Sequence, residues 1–155
     1  EHRLELAYEN GTPMGSKIPA QDKPFQLLLQ ATADPMSQPI EKLQVIKGWL
    51  DDNGHKNTKV TDVVTKTGKD LCKVYEDLDY NSNHPTYYYL RAIEPETPRW
   101  SQAQCASIPK DKRPAGCDND LPEMVREMAW SSPIWFTPNL IPSLPAELDG
   151  EEHEH

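Results

Sequence analysis

The sequence predicts a mainly β protein, an immunoglobulin-like antiparallel β-sandwich with long loops and little helix. Apolar and polar residues alternate with the period of two that marks half-buried strands. The alternating segments are short, and glycine, proline and asparagine residues that form turns separate them. No long stretch shows the 3.6-residue apolar period of an amphipathic helix. Several short strands joined by such turns are typical of a sandwich.

The first clear strand covers residues 25–33, where Phe25, Leu27 and Leu29 share one side. Residues 43–50 are more apolar and predict a central strand. The Asn53-Gly54 dipeptide tolerates the positive φ of a tight turn, so it predicts a hairpin to a strand at residues 58–65. Two more strands are predicted at residues 71–75 and 86–94, and the second of them is rich in tyrosine, which favours sheets.

Residues 130–136 predict the closing strand, with Trp130, Ile134 and Phe136 on one side and Trp135 on the other. Pro133 donates no ladder N–H, so it fits only an edge or a strand start. The one predicted helix covers residues 121–128. We therefore expect a single sandwich domain over residues 1–136. Residues 137–155 are expected to form a proline-rich acidic tail with too little apolar surface to offset the cost of ordering.

The charge and the apolar content of the chain argue against two kinds of partner, nucleic acids and membranes. The chain has 155 residues, and 16 Lys and Arg against 25 Asp and Glu give a net charge of -9. These charges are spread along the sequence, which argues against a nucleic acid or an anionic membrane as partner. No apolar run approaches the roughly 18 residues that would span a bilayer. We predict neither nucleic-acid binding nor a membrane span.

The three cysteines predict a disulfide rather than a metal site. Cys105 and Cys117 bracket a polar, proline-containing loop that a disulfide would hold closed, and the alternative is two unpaired, half-buried thiols. Cys72 lies in a predicted strand and is expected in the core. None of the three belongs to a Cys-x-x-Cys pair or has a histidine at ligand spacing. No metal or cofactor is predicted in this chain.

The other candidate metal and catalytic sites have simpler structural interpretations. Glu76, Asp77 and Asp79 could form a weak calcium site or a carboxylate pair, but the run lacks the glycine and terminal glutamate of an EF-hand, which favours a solvated loop. His153 and His155 lie among glutamates at the C-terminus, and we expect this segment to be solvated rather than to bind a metal. There is no nucleophile elbow and no phosphate loop. The sequence predicts no catalytic residue.

The aromatic residues are the remaining candidates. The tryptophans and tyrosines could stack on sugar rings, or they could fill a core or an interface between domains, and packing is the more usual role of large aromatics. Arg99 lies beside one of them. The predicted binding or interdomain surface consists of Tyr88, Arg99, Trp100, Trp130 and Trp135.

Four motifs, in this order, carry a family resemblance: GTPMG at 11–15, VIKGW at 45–49, YYLRAIE at 88–94 with TPRWS at 97–101, and AWSSPIW at 129–135. This combination, over residues 7–136, resembles the bacterial family catalogued as domain of unknown function 3604. Members are similar to the PHP (polymerase and histidinol phosphatase) metal-dependent phosphoesterases. In those relatives a metal-binding barrel rich in His and Asp precedes a C-terminal sandwich that closes with a Ser-Pro-Ile-Trp strand.

The resemblance implies that this chain is the C-terminal portion alone, a non-catalytic accessory domain of a secreted or periplasmic bacterial protein. Its partner would be the catalytic domain of its own parent chain, which would hold a divalent metal. The metal-binding motifs of the family have no counterpart here, so no catalytic residue is carried over. Export of many members agrees with a Cys105–Cys117 disulfide. The alternative is a free-standing carbohydrate- or protein-binding module with a row of exposed coplanar aromatics. An autonomous hydrolase is the least favoured reading.

Overall fold

The computed structural model describes residues 2–23, 25–117 and 121–138. The predicted tail from residue 139 onward, with His153 and His155, lies outside them. The helical elements are α1 (His2–Asn10), α2 (Trp100–Ser107) and two 3-10 turns (Lys110–Lys112 and Ala115–Cys117). The strands are β1 (Lys17–Pro19), β2 (Gln26–Thr32), β3 (Lys42–Leu50), β4 (Lys56–Val64), β5 (Asp70–Glu76), β6 (Thr86–Pro98), β7 (Met124–Trp130) and β8 (Ile134–Thr137).

The strands form two sheets. The larger has six strands in the order β1-β8-β6-β3-β4, and β7 pairs with β6 as well. β8 pairs with residues 86–88 of β6 and β7 with residues 91–98, so both lie along the same edge of this long strand. All pairs are antiparallel except the parallel pair of β1 and β8. The smaller sheet is the antiparallel pair β2–β5. The predicted mainly β fold with little helix is confirmed.

The two-stranded sheet covers one face of the six-stranded sheet, which we call the inner face; the opposite one is the outer face. Leu27 and Leu29 of β2 pack with Val45, Tyr88 and Phe136 of the larger sheet. A second cluster continues the core toward the other end of the sheets, with Ala33, Ile40, Leu43 and Leu71. Burial of each large side chain contributes about 1.5–3 kcal/mol, so these two clusters hold the layers together.

The predicted hairpin is present between β3 and β4. Gly54 adopts φ 76°, a backbone conformation that L side chains rarely adopt. Asp51 Oδ1 accepts hydrogen bonds from the backbone N–H groups of Asn53 and His55, each at 2.9 Å. The turn chemistry read from the sequence therefore fixes the register in which Leu50 pairs with Lys56.

The predicted helix at residues 121–128 is wrong, because residues 124–130 form β7. A helix of that length gains little by itself in water, whereas β7 gains a ladder of hydrogen bonds along β6. The helices that do form, α1 and α2, were not predicted. α2 has no buried residue, so it lacks the apolar stripe that would have indicated it.

The predicted single closing strand at residues 130–136 is two strands. β7 ends at Trp130 and β8 begins at Ile134, with Ser131, Ser132 and Pro133 between them. Ser131 bridges the break: its N–H donates to Leu90 O, and its Oγ accepts from Leu90 N, each at 3.0 Å. The break changes the alternation, so Trp130 and Trp135 lie on the same face of the sheet and not on opposite faces as predicted.

Cys72 is a further correction. It is an exposed free cysteine, not a core residue. It pairs across the small sheet with Gln30, which is also exposed. The inward-pointing neighbour of Cys72 on β5 is Leu71. The predicted strand is therefore present, but Cys72 was assigned to the wrong side of it.

Among the described residues, no helix has the length and apolarity needed to cross a membrane.

Candidate interaction surface

Four aromatic residues share the outer face of the six-stranded sheet. Trp135 pairs with Tyr87, and Trp130 pairs with Arg91. Residues 87, 89 and 91 alternate along one continuous strand, so they and their partners point the same way. We call Tyr87, Tyr89, Trp130 and Trp135 the aromatic patch. Trp130 was predicted on the side of Ile134 and Phe136, but it lies with Trp135.

The rings of the patch are close together and partly aligned. Tyr87 and Trp135 have ring centroids 5.0 Å apart at an interplanar angle of 48°. Tyr87 and Tyr89 are nearly parallel, 6.3 Å apart at 9°. A Cβ atom on Gly48 would overlap the ring of Tyr87. The glycine of the VIKGW motif therefore lets the Tyr87 ring lie flat across β3.

The patch is open to solvent. Trp130 is 60% exposed and Trp135 is 41% exposed. Val60 of β4, which pairs with the buried Ile46, and Leu50 at the end of β3 are exposed apolar residues on the same face. Single exposed apolar side chains are ordinary, but several on one sheet face are typical of an interaction surface.

A row of polar side chains crosses the sheet beside the patch. The Nε and Nη2 atoms of Arg91 donate to Gln44 Oε1 at 2.8 and 2.6 Å, and Gln44 Nε2 donates to Asp62 Oδ1 at 2.5 Å. Lys42 Nζ lies 3.9 Å from Asp62 Oδ2. An apolar centre with a polar border is the usual organisation of a protein interface.

Arg99 and Trp100 lie away from the patch. Trp100 begins α2 and is 72% exposed. Pro98 lies seven positions after Arg91, which pairs with Trp130, and seven positions span roughly 20 Å along a strand. The predicted surface is thus divided between two places, with Trp130 and Trp135 in one and Arg99 and Trp100 in the other.

The predicted disulfide is present beside α2. Cys105 and Cys117 are bonded, with Cα atoms 5.7 Å apart across a sequence separation of 12. The bond closes the loop that carries both 3-10 turns. It thereby ties the end of α2 to the chain that leads toward β7.

Tyr88 is not on this surface. It is 2% exposed, lies in the main core cluster and belongs to the inner face. Its hydroxyl donates a hydrogen bond to Asp77 Oδ2 at 2.6 Å. Its assignment to an exposed surface is corrected, because the alternation along β6 turns it away from Tyr87 and Tyr89.

Asp77 is the centre of a buried polar network. Lys47 Nζ lies 2.5 Å from Asp77 Oδ2 and donates to Asp79 O at 2.9 Å, and Asp79 N–H donates to Asp77 Oδ1 at 3.1 Å. Burial alone would raise the pKa of Asp77, but the hydrogen bonds from Lys47 and Tyr88 lower it below its ordinary value. Burial, and then the bond to Asp77, raise the pKa of Tyr88 far above its ordinary value.

The acidic run is therefore not simply a solvated loop. Asp77 is buried against Lys47, whereas Asp79 remains exposed and lies 2.5 Å from Lys59 Nζ. The sequence reasoning missed Lys47, although a lysine inside the most apolar strand is a signal for a buried partner of opposite charge. Within the described ranges, no three His, Cys, Asp or Glu side chains are grouped so that they could hold a metal ion.

A cleft of about 260 Å³ opens beside this network, between the β3–β4 hairpin and the loop that follows β5. It is lined by Lys47, Trp49, Lys59, Asp79, Asn81, His84 and Thr86. His84 Nε2 lies 3.1 Å from Asp52 Oδ1. Trp49 contributes its ring, with Lys47 Nζ 5.2 Å from the ring centroid.

Comparison with known proteins gives one result. No curated protein and no solved structure matches the chain significantly. The sequence profile of a family described as "Protein of unknown function (DUF3604)" matches residues 1–70 and 65–138. These two matches include every strand of both sheets, the aromatic patch and the cleft. The chain belongs to the DUF3604 family.

Proposed function

We propose that this chain is a non-catalytic C-terminal accessory domain, with a sandwich of immunoglobulin-like shape, in a protein that resembles the PHP-type metal-dependent hydrolases. Its outer face docks on the catalytic domain of the same protein. The observation that carries the proposal is the open aromatic patch on the face that β2 and β5 leave uncovered. The divalent metal and the catalytic groups belong to the partner domain.

The charge of the outer face supports this choice of partner. By register, the outer positions of β1, β3, β4, β8 and the first part of β6 hold four cations and one carboxylate: Lys17, Lys42, Lys56, Arg91 and Asp62. The chain as a whole has a net charge of -9, so this face differs from the rest of the surface. The resemblance implies a partner barrel rich in His and Asp, which would offer a complementary acidic rim.

The disulfide supports a secreted or periplasmic location, because such bonds persist in oxidising compartments. The whole protein would then act outside the cytoplasm. Phosphatase and esterase assays on this chain with added zinc or manganese should give no activity. Turnover that survives chelation and repurification of this chain would contradict the non-catalytic role.

Docking can be tested on the parent protein by hydroxyl-radical footprinting read residue by residue. On this proposal, the parent sequence would be read from the reading frame upstream of residue 1. Trp130 and Trp135 should be oxidised in the isolated chain and protected in the parent. Met36, which is 94% exposed and lies in the loop after β2, is the internal control and should be oxidised equally in both. Equal oxidation of both tryptophans in the two proteins would refute the docking.

A free-standing carbohydrate- or protein-binding module is the second candidate. The near-parallel rings of Tyr87 and Tyr89 favour it, because aligned flat rings can stack on sugar faces. An upstream reading frame that encodes only a signal peptide would favour this candidate over docking.

A further inference from the structure

We propose that the cleft beside Lys47 binds one ring of a neutral polyhydroxylated ligand, a pyranose residue of a glycan. This site is separate from the aromatic patch, since Lys47 and Trp49 lie on the inner-face positions of β3 and Tyr87 and Trp135 on the outer face. The proposal does not depend on the docking described above.

The size of the cleft limits the ligand. Pockets for drug-sized molecules measure roughly 300–1,000 Å³, and this cleft measures about 260 Å³. It suits a ligand smaller than those molecules, such as a single sugar ring. It is also partly open to solvent, so a ring could enter while still linked to a longer chain.

The charges of the cleft favour a neutral ligand. Lys47 faces Asp77 at 2.5 Å, Lys59 faces Asp79 at 2.5 Å, and the ring of His84 faces Asp52 at 3.1 Å. Each basic side chain already has a carboxylate partner. A charged ligand would have to disrupt one of these pairs, whereas a hydroxyl group can add a hydrogen bond to either partner without replacing it.

The lining offers both kinds of hydrogen-bonding group that hydroxyls need. Asp79 accepts, Lys59 donates, and Asn81 carries an amide that can do both. The ring of Trp49 adds an apolar wall for the C–H face of a pyranose. Six of the seven lining side chains are polar or charged, which suits a ligand covered with hydroxyl groups better than an apolar one.

The loop that carries these groups is held by its own hydrogen bonds. Asn83 N–H donates to Asn81 Oδ1 at 2.9 Å, and Asn81 Nδ2 lies 3.4 Å from His84 Nε2. Tyr80 N–H donates to Asp77 O at 3.3 Å, and His84 N–H donates to Asn81 O at 3.1 Å. Groups that are already in place lose less conformational freedom when a ligand binds.

Saturation-transfer difference NMR on the full chain tests the site. The probes are the methyl pyranosides of glucose, galactose, mannose and xylose, with glucuronate and glucose 6-phosphate as charged counterparts. At least one neutral pyranoside should receive saturation. Asn81→Ala and Lys59→Ala should weaken its binding by about tenfold, the loss expected when one hydrogen bond is removed. Both residues are exposed, so the fold should survive.

Asn83→Ala is the matched control, since Asn83 is exposed in the same loop but does not line the cleft. It and Trp130→Ala should leave binding unchanged. Three outcomes would overturn the proposal: no neutral pyranoside receives saturation, only the charged probes do, or binding survives Asn81→Ala and is lost with Trp130→Ala. The last result would place the sugar on the aromatic patch. It would not decide whether the patch docks on the catalytic domain, because the footprinting experiment tests that separately.

Discussion

The two faces of the six-stranded sheet are made from neighbouring residues, and the aromatic rings on them differ sharply in exposure. Tyr88 and Phe136 are each 2% exposed on the inner face, whereas their neighbours Tyr87 and Trp135 face outward. β2 and β5 cover one face and leave the other open. Aromatic content therefore says little about where a core lies. The covering strands decide which of two adjacent rings contributes to stability and which is left for recognition.

The polar groups of the two faces differ in the same way. On the inner face, Lys47, Asp77 and Tyr88 form a buried network. On the outer face, Arg91, Gln44 and Asp62 form a row at the border of the patch. Lys47 and Asp77 form a buried ion pair, which is costly to break from one side. In the outer row Gln44 is buried, whereas its partner Asp62 is exposed. Substitutions in the inner network should therefore affect stability, and substitutions in the exposed aromatic patch should affect binding.

The sharpest test of this comparison is a pair of adjacent substitutions. Phe136→Ala should lower the free energy of unfolding by about 3–5 kcal/mol, because it leaves a cavity in the main core cluster. Trp135→Ala should lower it by only on the order of 1 kcal/mol, because its ring is partly solvated already. Urea unfolding followed by circular dichroism measures both. Equal losses at the two positions would show that the outer face is packed as tightly as the inner one.

Asp77→Asn should be the next largest effect. It leaves the buried Lys47 without its carboxylate, and the loss should be on the order of 3 kcal/mol. Lys47→Met combined with Asp77→Asn should recover part of that loss, since the unpaired charge is then gone. Asp70→Ala, at an exposed position of β5, is the control and should be close to neutral. A double variant no more stable than Asp77→Asn would exclude the unpaired lysine as the cause.

Replacing Cys105 and Cys117 together with serine should cost about 2–3 kcal/mol by the loop-entropy argument. The loop they close lies beside α2, outside the two core clusters. The amide exchange of residues 100–117 should rise strongly, and that of β3 should change little. Exchange that rises equally in β3 would mean that the bond supports the core between the two sheets.

The inner network also predicts the pH dependence of stability. The pKa of Asp77 is lowered in the folded state. Its contribution is therefore present above the unfolded pKa near 4 and is lost as the pH falls through the lower, folded value. The pKa of Tyr88 is raised, so its contribution is fully present below the unfolded pKa of about 10 and declines as the pH rises from there toward the raised, folded value. Unfolding free energies across pH 2–11 measure both, and Asp77→Asn should flatten the acid limb.

Trp130→Ala should have the smallest effect on stability, within about 0.5 kcal/mol, because most of the side chain is solvated. In the parent protein it should nevertheless weaken docking, seen as renewed oxidation of Trp135 in footprinting. This variant separates the two roles most clearly. Trp130→Ala that is strongly destabilising in the isolated chain would place Trp130 in the fold rather than in the interface.

Local sequence signals predicted β2 to β6 well, but they missed β1 and most of β7. The alternation at Leu27 and Leu29, the Asn53-Gly54 turn and the three tyrosines each placed a strand within a few residues of its observed bounds. The helices could not be predicted in this way, since α2 buries nothing and β7 forms only because β6 is long enough to pair with it. The predicted disulfide needed only the spacing of two cysteines around a loop.

The candidate sites were less accessible to sequence reasoning. Trp130 and Trp135 were identified from the sequence. The role of Gly48, which leaves room for the ring of Tyr87, was not. Asp77 was noted as one of several acids, and nothing local showed that Lys47, 30 residues earlier in the sequence, would meet it. Which face is covered depends on how β2 and β5 cross the larger sheet, and that is a property of the whole chain.

The break at Ser131, Ser132 and Pro133 has a consequence for how this region can change over evolutionary time. Trp130 and Trp135 are an odd number of positions apart, so in an unbroken strand they would point to opposite sides. Deleting one residue between them would invert β8, exposing Phe136 and burying Trp135. Selection should therefore act on the length of this segment as well as on its residue types. Among related chains, single insertions or deletions should be rare there.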